Sequence, residues 1–172
     1  MYLNGAETAR LKIRSLELCD IPTWESFFEN NHSLSYLGID LSLDKKQQSR
    51  AWIDRQLERY SKGLYGHHAL ILKEKNEFIG QCGLLVQTID GIKEIEIGYH
   101  VLPKYWGNGF ATEAAIKFRD YAFKNMISDS LISVIDIWNT ASQNVAKKLG
   151  MKNEKQTKCF GLDVFIYRIN LS

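Results

Sequence analysis

The sequence predicts an α/β fold of the α+β kind: a mixed, mostly antiparallel sheet of about seven strands flanked by about four helices. Three observations carry this. Short runs rich in branched and aromatic residues are interleaved with stretches of helical period. The middle of the chain holds three consecutive strand-like runs joined by turn residues, which reads as a meander. A glycine pair then separates the last of those runs from an alanine-lined amphipathic stretch, so the chain leaves the meander through a helix. The 172 residues are read as one domain, 1–172, long enough to bury a substantial core.

Leu11, Ile13 and Leu16 among Arg10, Lys12 and Arg14 have the near-alternation of a half-buried first strand. Asp20 precedes Ile21, Pro22, Trp24, Phe27 and Phe28, so a cap, an early proline and an apolar face predict a short helix ending near Asn30. Asp44 and Gln47 have capping-box spacing, and Ile53, Leu57 and Tyr60 continue at helical intervals until Gly63 stops a second helix. Residues 69–72 and 78–86 form a predicted hairpin, Asp90-Gly91 makes another tight turn, and residues 94–102 complete the meander. Pro103, lacking a backbone donor, ends the pairing.

Ala111, Ala114, Ala115, Phe118 and Ala122 trace the buried stripe of a third helix. Residues 131–137 are apolar nearly throughout, as in a central strand covered on both faces. Asn139 caps a fourth helix running to Leu149, with Gly150 closing its last turn. Residues 162–171 supply a final strand, paired with one around 157–160.

Composition narrows the function. The formal charge of +2 is scattered without a basic block, which gives no support to nucleic-acid binding. Cys19, Cys82 and Cys159 are odd in number and lack metal-type spacing, so neither a disulfide framework nor a zinc site is expected, and a reducing cytoplasm suits them. No window approaches the roughly 20 apolar residues that span a bilayer, and the start of the chain has no leader-like run. His67 and His68 would project to opposite strand faces, so no metal is expected there. Trp24, Phe27, Phe28, Tyr36 and Trp52 are mostly core residues, some of them available to line an acceptor groove.

Gly107 and Gly109 let the backbone turn closely and present N–H groups at a helix N-terminus, where the dipole favours an anion such as a pyrophosphate. A tight connection and nothing more is the alternative for an isolated Gly-x-Gly. A Walker-type loop would need Lys and then Ser or Thr after the second glycine, where Phe110 and Ala111 stand. A dinucleotide fingerprint would need a third glycine at Thr112.

The segment Tyr105 to Thr112, with Glu113 and Ala114 after it, and the segment Asn139 to Met151 together resemble the acetyl-coenzyme A motifs of the GNAT N-acetyltransferase superfamily. The likeness is strongest to its Rim-type ribosomal-protein N-acetyltransferase branch, which Glu96-Ile97-Gly98-Tyr99 also resembles. The resemblance implies a GNAT fold, splayed between the strands at 94–102 and 131–137, with the pantetheine arm of acetyl-CoA in the gap. It implies backbone contacts to that arm from Val101 and Leu102, and a contact from Asn139. The pyrophosphate would be held by N–H groups of Trp106, Gly107, Asn108, Gly109, Phe110 and Ala111 in the loop that ends at Thr112. The family commonly has Arg or Gln where Lys104 stands, so a charge is retained there.

Acetyl transfer to an amine needs a neutral nucleophile, a stabilised oxyanion and a proton for the departing thiolate. The resemblance makes Glu96 the first candidate for base, against a plain cross-strand ion pair. His100 projects to the same face and ranks second. Asn139 and Ser142 are spaced as an N-cap and its third helical residue, while the resemblance adds a hydrogen bond or proton from Ser142 to the thiolate. Many superfamily members carry a tyrosine acid where this chain has Ala146.

The function expected is direct transfer from acetyl-CoA to a primary amine, a protein N-terminus or a small molecule such as a polyamine, an aminoglycoside or an amino acid derivative. A non-catalytic acyl-CoA sensor is the alternative of another class, and assembly as a homodimer is left open.

Overall fold

The computed structural model describes residues 2–171. In chain order the elements are β1 (Leu11–Arg14), α1 (Ile21–Trp24), α2 (Lys45–Ser61), β2 (His67–Leu72), β3 (Glu77–Ile89), β4 (Ile92–Val101), α3 (Phe110–Lys124), β5 (Ser130–Asp136), α4 (Thr140–Lys148), β6 (Lys152–Cys159) and β7 (Leu162–Asn170). Seven strands make one sheet in the order β1-β2-β3-β4-β5-β7-β6. Every neighbouring pair is antiparallel except β4 and β5, which run parallel. This is the mixed, mostly antiparallel sheet of seven strands that the sequence predicts, with β5 in the interior.

Local chemistry explains most of the elements. At the start of α2 the Asp44 carboxylate accepts from Gln47 N (2.8 Å) and the Gln47 side chain accepts from Asp44 N (3.1 Å), closing the expected box. The helix ends where Gly63 adopts φ +66° and Leu64 N returns to Arg59 O. Asp90 and Gly91 both have positive φ, the hairpin turn whose twist matches its strands, and pairing runs up to it from Ile89 and Ile92. Asn139 caps α4, accepting from Ser142 N at 3.1 Å.

Two elements differ from expectation. The first helix is a single α turn, α1, between 3₁₀ turns at Leu18–Asp20 and Glu25–Phe28. Asp20 does not cap it, because its carboxylate instead takes two bonds from Arg14 (2.7 and 2.6 Å) and one from Glu17 N. Charge-assisted paired bonds outweigh one neutral cap. The strand β6 starts at Lys152, well before the expected 157, because Lys152 to Lys158 carry no apolar alternation to reveal an exposed edge strand.

The core divides on the two sheet faces. On one, Ala114, Ala115, Phe118 and Ala122 of α3 pack over Leu11, Ile13, Leu70, Ile79 and Ile97. On the other, Trp24, Phe27 and Ile53 cover Ala69, Ile71, Phe78 and Leu102. Among the described residues no helix is long and apolar enough to cross a membrane.

The parallel pair is where the sheet opens. β4 and β5 are in register only at Glu96 and Ile132, and the Ser133 hydroxyl donates to Ile97 O (2.9 Å) just beyond. Past that point residues 97–101 and 133–136 line a cavity between the strands.

Candidate active site

The cavity in the splay has a volume of about 390 Å³ and extends from β4 and β5 to the Gly107–Gly109 turn and the first turn of α4. At its loop end Gly107 and Gly109 have φ +76° and +78°, a left-handed conformation that glycine adopts without strain. The first bond of α3 is Glu113 N to Gly109 O. Ahead of it, the N–H groups of Gly107, Asn108, Gly109, Phe110, Ala111 and Thr112 have no acceptor among the described residues. Successive free donors at a helix N-terminus make an anion site.

Trp106 departs from the expected row of donors: its N–H goes to Pro103 O (3.1 Å), inside a 3₁₀ turn that the proline starts. Lys104 departs too. That turn sends its ammonium over the Tyr105 ring, 3.9 Å from Glu77 and away from the cavity lining. The cation beside the loop is Arg10, whose Nη1 donates to Asn108 O (2.9 Å) and whose guanidinium lies 4.4 Å from the Phe110 ring centroid. Glu113 fixes it, accepting from Arg10 N, Arg10 Nε and the Thr8 hydroxyl at 2.8, 2.6 and 2.6 Å. Arg10 is about one hundred positions from its partners, so no local pattern reveals it.

The strand wall is set by ladder alternation. Leu102 N donates to Ile79 O (2.9 Å), so Leu102 belongs to a hydrogen-bonded pair and its own carbonyl is taken by Tyr105 N. The expected backbone contact from Leu102 is therefore spent inside the fold. Val101, one residue earlier, turns its N–H and C=O toward the gap. Its carbonyl accepts from the Trp106 indole at 2.6 Å, leaving the N–H for an outside partner.

Across the gap, Asn139 and Ser142 line the cavity. The Asn139 side-chain oxygen is engaged as the cap of α4, and the Ser142 carbonyl accepts from the Tyr99 hydroxyl at 2.9 Å. Burial raises the Tyr99 pKa, so its proton is firmly held. Ala146 is fully buried in the core, with no hydroxyl at that point of α4.

Adjoining the first cavity is a second, about 380 Å³, walled by α2, the 36–43 loop, β4, β5 and the Phe160–Leu162 turn. The two cavities share Tyr36 and Leu37 of the loop and Glu96, Gly98, His100, Val134 and Asp136 of the strands. Glu96 is only 8% exposed and accepts from Gln87 Nε2 (2.6 Å) and Val134 N (3.3 Å), with no ion pair among the described residues. Burial raises its pKa above the usual value, partly offset by those two bonds and by the Arg59 charge. Asp136, a second buried carboxylate at the junction, accepts from Trp138 N and was not visible as a site residue in the sequence.

His100 does project to the Glu96 face, into the rings of Trp52 (4.9 Å), His67 (5.2 Å) and Phe27 (5.8 Å). Burial lowers its pKa to about 4, so at neutral pH it is an uncharged imidazole. His67 and His68 face opposite ways: His67 stacks on Trp52, whereas His68 meets Tyr2 at 4.5 Å and Phe118 at 5.7 Å. A Cβ on Gly98 would lie 2.6 Å from His67 Nε2, so the strand glycine makes room for that ring. Among the described residues no three His, Cys, Asp or Glu side chains gather as a metal site.

Known proteins resemble this chain in sequence and fold. The family model described as acetyltransferase (GNAT) domain matches residues 10–152. YkkB of Bacillus subtilis is 34% identical over 163 residues, covering 93% of this chain and 92% of its own. A GNAT-family acetyltransferase crystal structure from Bacillus anthracis superposes with a TM-score of 0.77 at 26% identity, covering 95% of this chain and 96% of that one. RimL, the ribosomal L7/L12 alpha-N-protein acetyltransferase in complex with coenzyme A, superposes with a TM-score of 0.75 over 95% of this chain and 96% of its own, at 15% identity, a likeness of fold.

Proposed function

This chain belongs to the GNAT acetyltransferase family, and from that premise we propose that it moves an acetyl group directly onto a primary amine at Glu96, where its two cavities meet. Like the family, it is an acetyl-CoA-dependent N-acetyltransferase. The observation that carries the finer reading is Glu96: a buried carboxylate with raised pKa, held by two donors, common to both cavities.

Acetyl-CoA supplies the thioester. The residues fit it: the free N–H groups from Gly107 to Thr112 suit a pyrophosphate, and the Val101 N–H suits an amide carbonyl of the pantetheine arm. Arg10 and Glu113 hold the loop in shape. Glu96 accepts the proton of the incoming amine; a raised pKa brings a carboxylate nearer the range where it both ionises and takes up protons. His100, neutral at working pH, adds a polar but uncharged wall and no second base of matching strength. Ser142 or a water supplies the proton to the departing thiolate, since Ala146 has no hydroxyl to offer.

Direct attack is favoured over an acylated cysteine. Burial raises the thiol pKa of Cys82 and Cys159, and a hydrogen bond to Glu17 raises that of Cys19, so none is a ready thiolate. A protein N-terminal amine and a small amine are the two acceptor classes.

Thiol release with a panel of amines tests the reading. Glu96→Gln is expected to lower kcat/KM by about 100-fold or more, within the range for a positioned base, while coenzyme A affinity stays unchanged. Coenzyme A binding with no turnover of any amine, and no effect of Glu96→Gln, would instead favour a non-catalytic acyl-CoA sensor, the reading that Ala146 supports.

A further inference from the structure

The chain has seven arginines, and five of them pair with carboxylates: Arg10 with Glu113, Arg14 with Asp20, Arg50 with Asp54, Arg119 with Asp120, and Arg168 with Glu94 and Glu154. The two that do not are Arg55 and Arg59, among the described residues. Both line the second cavity, and they stand four residues apart on α2, where side chains share a face. Arg55 is exposed at the rim and Arg59 is half-buried. Neither makes a side-chain hydrogen bond to any described residue.

Such a pair is unfavourable on its own. Burial and then the like charge of Arg55 lower the Arg59 pKa, with Glu96 as the nearest offset. Neither of the two aspartates that line the same cavity pairs with them: Asp40 Oδ1 accepts from Ser42 N and the Ser42 hydroxyl, and Asp136 Oδ1 accepts from Trp138 N. A second observation comes from the same wall. His67 is 3% exposed, yet neither of its ring nitrogens has a partner. The ring lines the same cavity, but its nitrogens are closed off, Nε2 against Gly98, so His67 adds an uncharged wall and leaves any anion to the two guanidiniums.

We infer that the acceptor is a small amine that also carries an anionic group, a carboxylate or a phosphate, bound by Arg55 and Arg59 while its amine meets Glu96. The inference rests on the amine-acetyltransferase reading above. A guanidinium pair binds such oxyanions through paired donors. The rest of the wall, with Phe28, Leu37, Trp52 and Leu85, suits a short apolar body between the two ends. The cavity of about 380 Å³ has the size of a small-molecule site. Polyamines and aminoglycosides are rejected by the same two charges, since each would bring further cations against them.

The test compares matched acceptors by thiol release: glutamate against its dimethyl ester, phosphoethanolamine against ethanolamine, then spermidine, and a tripeptide beginning Ser-Asp. The anionic member of at least one small pair is expected to exceed its neutral partner in kcat/KM by about 10- to 100-fold, the range of a charged hydrogen bond. In an Arg55→Gln/Arg59→Gln protein the ratio of anionic to neutral kcat/KM should shrink to about threefold or less, with the KM for acetyl-CoA unchanged. Arg59→Lys, which keeps the charge, should retain most of it.

Equal turnover of neutral and anionic members, preference for spermidine, or equal loss on both members in the double variant would overturn the inference. The tripeptide outrunning every small amine would overturn its small-molecule part. Should no amine be turned over, calorimetric titration with the same compounds in the presence of coenzyme A decides it separately from catalysis. Tighter binding of the anionic member to the wild type, but not to the double variant, supports it; equal binding contradicts it.

Discussion

Glu96 combines two opposing influences, burial that disfavours its charge and donors from Gln87 and Val134 that favour it, and burial prevails. The consequence for rate is an acid limb in kcat/KM whose midpoint lies above the ordinary glutamate value of about 4.3. A pH-rate profile should show that limb in the wild type and not in Glu96→Gln. The sign for stability follows from the same shift. A folded-state pKa above the unfolded one means stability is contributed below the unfolded pKa and lost as pH rises through the folded one. Glu96→Gln should therefore leave the Tm at pH 7 unchanged or higher. Some of this site was legible residue by residue: strand alternation places Glu96 and His100 on one face, as found. Other residues were not. Asp136 reads as the end of an apolar strand, and the roles of His67 and Gly98 depend on a cross-strand contact that no spacing reveals.

The turn from β4 into α3 brings several devices together: left-handed glycines, a row of free N–H groups, and the Arg10–Glu113 clamp behind them. Gly109 has φ +78°, and a Cβ there would meet only Arg10 Nη2, at 3.6 Å. Space is available, so the penalty of Gly109→Val is conformational, about 1–2 kcal/mol for a left-handed β-branched residue. The variant should fold, with a Tm lower by several degrees, and bind coenzyme A at least about 10-fold more weakly by titration, because a one-decade loss corresponds to about 1.4 kcal/mol. Unchanged affinity in the folded variant would refute the loop assignment. At this scale the sequence was most informative where the determinants are local. The Asp44–Gln47 box, the Asp90-Gly91 turn and the Asn139 cap all form as read. It misled where a distant partner competes, as Arg14 does for Asp20, or where an edge strand lacks apolar alternation, as in β6.

Across the whole molecule, the two cavities adjoin where β4 and β5 part. Keeping that junction requires buried polar groups, and the histidines make the fold sensitive to acid. His68 is fully buried with a pKa of about 4, and burial lowers that of His67 as well. Because these folded values lie below the unfolded value of about 6.5, the unfolded chain binds more protons, and stability present above that pH is lost as pH falls toward 4. For His68 the full loss is roughly 3 kcal/mol. Denaturant titrations at pH 7 and pH 4.5 should differ accordingly, and His68→Gln should narrow the difference. The parallel join of β4 to β5 and the opening beside it were legible only through resemblance to a family, since periodicity identifies strands but not their neighbours.

The central claim, that a coenzyme A-bearing cleft and an acceptor cavity meet at Glu96, is tested most directly by a crystal structure with coenzyme A bound. The account predicts pyrophosphate oxygens within about 3.2 Å of amide nitrogens between Gly107 and Thr112, the arm paired with Val101 N, and the thiol at the junction bordered by Glu96 and Ser142. Coenzyme A seated elsewhere, or lying in this cleft with its thiol turned away from Glu96, would contradict it.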